Sequence, residues 1–172
     1  MDERFVQLLL RQQAAGFRDL RGTTTSLTLP ISARLLNEAI AEALPRTAPV
    51  RDLQVTPLAG DRFRVRFRFG TSAILPPIGL SLAIIQQPAL PDSPSLVLRM
   101  EMGALAGFAG PALRFFDALP AGIRVEQDRL VLDLRQILER RGAAHYLEYV
   151  DALDVHTLDG AVVISLRASI RG

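Results

Sequence analysis

One stretch of this chain recurs further along it. VRDLQVTPLAGDRFRVRF (50–67) aligns with VDALDVHTLDGAVVISLR (150–167) at a constant offset of 100 residues. Val50/Val150, Leu53/Leu153, Val55/Val155, Leu58/Leu158 and Gly60/Gly160 coincide. A strand pattern followed by a capped helix precedes each copy: SLTLPISARLLNEAI in the first half and RLVLDLRQILERR in the second. Each half therefore reads strand–helix–strand–hairpin. A repeat of this length is one supersecondary unit that covers its apolar face with its neighbour. The expectation is an α+β fold, a curved antiparallel sheet wrapped around two main helices.

Local patterns fill in the frame. Thr24 to Leu29 alternates and is rich in β-formers. Ser32 is an N-cap residue, and Ile31 before it can staple onto Leu36. The helix that follows carries Leu35, Leu36, Ala39, Ile40 and Ala43 as one apolar stripe and stops before Pro45. Strands are predicted over 50–58, 62–69, 96–102, 123–125 and 129–132, with an apolar strand region over 73–87. Asp133 is the next N-cap, with Gln136 in the capping-box position. Asp159-Gly160 predicts a type I′ hairpin that pairs Val155 with Ile164 and Leu153 with Leu166. Helices are also predicted over 2–15 and 104–118, and a turn or helix over 143–149.

At 172 residues the chain is the length of one domain. The repeat halves run from about 24 to 70 and from about 129 to 170, joined by an apolar connector over 73–119. Hydrophobic residues at 49% and charged residues at 22% fit a globular chain and exclude disorder. All 20 basic residues are Arg, yet the net charge is only +2, too little to imply a nucleic-acid partner. The absence of Cys excludes a disulfide framework and thiolate metal sites. Asp2 and Glu3 stand where a secretory leader carries positive charge, so the chain reads as cytoplasmic, or peripheral to a membrane.

Two features invite a functional reading. Arg62, Arg64, Arg66 and Arg68 alternate with Phe63, Val65, Phe67 and Phe69, so one strand face is basic and the other apolar. Such a ladder suits a solvated sheet face or an anionic surface such as phospholipid headgroups. Base stacking is disfavoured, because aromatic and basic side chains point oppositely. The second feature is the absence of charge from Phe69 to Pro91 and from Met102 to Leu113. Within the first stretch Leu80, Leu82 and Ile84 share a face, with Gly79, Ser81 and Ala83 on the other. A strand apolar or small on both sides needs cover on both.

Catalytic groups are sparse. The only histidines are His145, in AAHYLEY, and His156, which the hairpin register sets opposite Val163 and away from Val155. No HExxH, GxSxG, Walker A or GxGxxG sequence occurs. No metal site, cofactor or enzymatic activity is expected.

The layout resembles the tubular lipid-binding (TULIP) superfamily, the group of bactericidal permeability-increasing protein and its small bacterial relatives. The residues that carry the resemblance are LTLPISARLLNEAI, DRFRVRFRF and GIRVEQDRLVLDLRQIL with LEYVDALDVHTLDGAVVISL, which span most of the chain. It implies a long curved sheet around helices with a hydrophobic channel for acyl chains. On that reading Leu35, Leu36 and Ile40 face the sheet, and Leu80, Leu82, Ile84, Phe108, Phe115 and Phe116 line the cavity or its entrance. Arg62, Arg64, Arg66 and Arg68 lie outside against anionic headgroups. The expected partner is a lipid or fatty-acyl ligand. The alternative is a structural scaffold whose apolar surface joins copies of the chain or other proteins.

Overall fold

The alternating stretches become hairpins, and the two halves lend strands to each other. The computed structural model describes residues 21–44, 50–69, 77–101 and 119–170. The helices expected over 2–15 and 104–118, and with them Phe108, Phe115 and Phe116, lie outside these. In chain order the elements are β1 (Thr24–Ser32), α1 (Ala33–Ala43), β2 (Val50–Leu58), β3 (Arg62–Phe69), β4 (Ile78–Gln86) and β5 (Ser95–Glu101). Then come β6 (Ile123–Glu126), β7 (Arg129–Asp133), α2 (Leu134–Glu139), a 3-10 helix (Ala144–Tyr149), β8 (Val150–Leu158) and β9 (Ala161–Ser169). The order β1–α1–β2–β3 thus recurs as β7–α2–β8–β9.

The described strands form two antiparallel sheets, one of three strands ordered β1-β9-β8 and one of six ordered β2-β3-β4-β5-β7-β6. The larger is curled like half a barrel. Each half's first strand lies in the sheet that holds the other half's hairpin. The result is a mostly antiparallel α+β fold in which the described helices are short.

Register explains the core. β3 and β4 pair Phe63 with Leu82, Val65 with Leu80 and Phe67 with Ile78. β4 and β5 pair Leu82 with Met100 and Ile84 with Leu98. All of these share one face and join one buried cluster, to which β8 and β9 contribute Val155 and Val162. Both sheets therefore turn their apolar faces into a common interior. Burial of a large aliphatic or aromatic side chain there stabilises the fold by about 1.5–3 kcal/mol.

Both N-caps form. Ser32 accepts from the Leu35 amide at 3.3 Å, and Asp133 from the Gln136 amide at 3.1 Å. The reciprocal half of the second capping box is not used, because the Asp133 amide donates instead to the Gly122 carbonyl at 2.7 Å. The Asp159-Gly160 turn sets the predicted pairs Leu153–Leu166 and Val155–Ile164. It is not type I′, however. Gly160 has φ 77°, but Asp159 is not left-handed, and a type I′ turn needs both central residues so.

α1 packs along β2, yet none of its residues is fully buried. Leu36 and Ile40 are half-buried, whereas Leu35 is 53% exposed. The expected stripe is therefore split: Leu35, Ala39 and Ala43 turn outward instead of facing the sheet. α2 follows Asp133 directly and packs on β5 and β7. The register pair Val97–Val131 is buried on the face opposite the main cluster, on the strands against which α2 lies.

Candidate functional site

The open backbone edges of β2 and β8 determine how the two sheets meet. Val55 and Val155 are equivalent positions of the repeat, and each turns its N–H and C=O away from its hairpin partner. Asn37 of α1 takes both groups of Val55: its Oδ1 accepts from the Val55 amide at 2.7 Å and its Nδ2 donates to the Val55 carbonyl at 2.7 Å. Gln87, just after β4, does the same for Val155 at 2.9 and 2.8 Å. A carboxamide offers one donor and one acceptor side by side, as a neighbouring strand would, and so satisfies an edge without extending it.

Two residues further on, the hairpin tips lock together. Pro57 has no N–H to satisfy, and its carbonyl accepts from the Gly160 amide at 3.0 Å. Its counterpart Thr157 is 3% exposed and fully partnered. The Thr157 amide donates to Asp61 Oδ1 at 3.0 Å, its hydroxyl donates to the Leu58 carbonyl at 2.5 Å, and the same oxygen accepts from the Arg62 amide at 2.9 Å. The Ala59 amide donates to Asp159 Oδ1 at 2.9 Å. The copies of the repeat thus meet tip to tip.

From this frame the inner face runs as one apolar surface. Pro57, Phe63, Leu82, Met100 and their neighbours are buried or nearly so, and Leu130, Leu132 and Val125 continue the face half-buried on β7 and β6. In the smaller sheet Val155 and Ile164 lead across to Leu29, and Leu153 and Leu166 lead to Leu27. There the cover ends: Leu27 is 55% and Leu29 47% exposed, although both share the face of the half-buried Ile31. Of the residues read as ligand-lining, Leu80 and Leu82 are buried and Ile84 half-buried within the cluster, Leu36 packs at its margin, and Leu35 faces away. Leu27 and Leu29 went unremarked in the sequence, because a strand pattern alone does not tell an edge from a centre.

The outer face is basic. Arg62, Arg64 and Arg66 are exposed, and Arg68 is half-exposed with Asp52 at 3.6 Å. Asp52 reaches it from a bulge in β2, where it adopts φ 54°. His156 is exposed opposite Val163, as the register requires, with Nδ1 3.2 Å from Asp61. His145 lies in the 3-10 helix, at a cavity of about 200 Å³ whose wall also includes Arg135, Glu139, Glu148 and Pro91. Among the described residues no three His, Asp or Glu side chains are grouped to hold a metal ion. Among them, too, no helix is long and apolar enough to cross a membrane. Compared with protein-family models, curated proteins and solved structures, the chain matches none.

Proposed function

We propose that this chain binds a lipid, or another ligand with an acyl chain, along the inner face of its curled sheet, as a member of the tubular lipid-binding superfamily would. One observation carries the reading. Among the described residues the inner apolar surface is continuous across both sheets, broken only by the partnered Thr157, and it ends on Leu27 and Leu29 with about half of each residue open to solvent. An acyl chain laid against that margin would gain about 0.8 kcal/mol for each methylene it buries. In this reading the facing apolar surfaces of the two sheets leave a channel between them, and β1 forms one lip of it.

Native mass spectrometry of protein purified from cells tests it, together with displacement of a fluorescent fatty-acid probe. The expected result is a lipid-sized adduct and saturable displacement, both lost in the Leu27→Arg/Leu29→Arg variant while circular dichroism is unchanged. Protein that carries no adduct and leaves the probe unbound refutes the reading.

A second reading rests on β1 itself. Its outer edge pairs with no described strand, and TTSLTLPIS contains no charge, with Pro30 alone to blunt edge pairing. Such an edge suits a scaffold that joins copies strand to strand. Sedimentation that shows a monomer at every concentration eliminates this reading.

A further inference from the structure

The outer face of the larger sheet is left unused by a ligand on the inner one. Six arginines gather on this part of the molecule: Arg51, Arg62, Arg64, Arg66, Arg68 and Arg99. Register places Arg51 beside Arg68, and Arg99 across Ala83 from Arg62. The acids beside them are Asp52, already on Arg68, Asp61, which precedes Arg62 and faces His156, and Glu101, two strands from Arg64. Among the described residues Arg62, Arg64 and Arg66 form no ion pair, whereas Arg34 and Arg129 have one each and Arg124 has two, to Glu126 and Asp133. The whole chain carries 20 arginines against 18 acids. The excess of positive charge on this face therefore exceeds that of the entire molecule, and the remainder is net negative. Such a charge distribution orients a protein in a field.

The surroundings leave the row accessible. The adjacent strand presents Gly79, Ser81 and Ala83 on the same side, and a Cβ built on Gly79 would meet nothing within 4 Å. Residues two apart on the strand are spaced about 7 Å, so neighbouring guanidinium groups can each take a separate phosphate, bidentately. At the Arg62 end stand two exposed apolar side chains, Ile85 and Leu158, at 38% and 57%. Leu158 follows Thr157, whose hydroxyl accepts from the Arg62 amide. Among the described residues no base-stacking aromatic of β3 shares the face, since Phe63 and Phe67 are buried on the other side.

We infer that this outer face docks on a bilayer containing anionic phospholipid, with Arg62, Arg64 and Arg66 on headgroup phosphates and Leu158 and Ile85 entering the interface at one end of the row. The inference is independent of the inner-face ligand, because the two surfaces lie on opposite sides of the sheet.

Vesicle flotation of the full chain is the test. Mixed phosphatidylcholine–phosphatidylserine vesicles should carry the protein, phosphatidylcholine alone should not, and rising salt should release it. Arg64→Gln and Arg66→Gln should each weaken binding roughly fivefold. Arg140→Gln with Arg141→Gln, beyond α2, should leave it unchanged, and circular dichroism checks that every variant is folded. Equal binding to neutral vesicles, indifference to the ladder substitutions, or tighter binding to poly(U) RNA than to the anionic vesicles overturns the inference.

Discussion

Asn37 and Gln87 do at two repeat-equivalent sites what a strand would otherwise do. Removal of the Gln87 carboxamide leaves the part-buried N–H and C=O of Val155 without partners. An unsatisfied group of this kind costs about 1–3 kcal/mol. Gln87→Ala is therefore expected to lower the unfolding free energy by about 2 kcal/mol in urea titrations, and the exposed Gln86→Ala by less than about 0.5 kcal/mol. Gly122 is a second sensitive residue. It has φ 92°, and an added Cβ would sit 2.7 Å from Ile137 Cγ1 and 3.2 Å from the Asp133 carbonyl oxygen. Gly122→Ala should cost more than about 1 kcal/mol by the same measurement, since backbone conformation and space both oppose it. Gly79→Ala, with open space around it, should be far milder. None of this was legible in the sequence. Asn37 reads as one more polar residue on a helix, and its role depends on a backbone edge 18 residues away.

At the scale of elements, the two faces of β3 make opposite demands. Leu82 on the neighbouring strand is buried in the shared apolar cluster, so Leu82→Ala should lose about 2–5 kcal/mol. Leu35→Gln, on the outward side of α1, should change stability by less than about 0.5 kcal/mol; thermal unfolding of the pair distinguishes them. Alternation made β2, β3 and β9 legible to within a residue, because period-two patterning and a short turn leave one register that buries the apolar set; β8 starts at Val150, three residues before the predicted Leu153. Helical spacing placed α1 but not its orientation. A stripe that includes Leu35, Leu36 and Ile40 is wider than the contact with β2, and the contact selects one flank. The burial of Val97 and Val131 was hidden for a related reason. Their cover is a helix laid across the outer face, and no pattern within β5 or β7 reports it. Of the candidate site, the Arg ladder followed directly from alternation. The uncovered margin at Leu27 and Leu29 did not, since it arises from strand order.

At the scale of the molecule, strand order also explains why the halves are interdependent. One apolar cluster spans both sheets, and the hairpin tips are cross-linked by Thr157, Asp61 and Asp159. The connection between β5 and β6 divides the chain into a piece holding β1 to β5 and a piece holding β6 to β9. The three-stranded sheet needs β1 from one and β9 from the other, and the six-stranded sheet joins β5 to β7. A protease that cuts there severs the polypeptide without freeing either part. The fragments are woven through each other along two separate seams and should co-elute on gel filtration until denaturant is added. Continuity of the covalent chain is therefore dispensable for holding this architecture once it has formed.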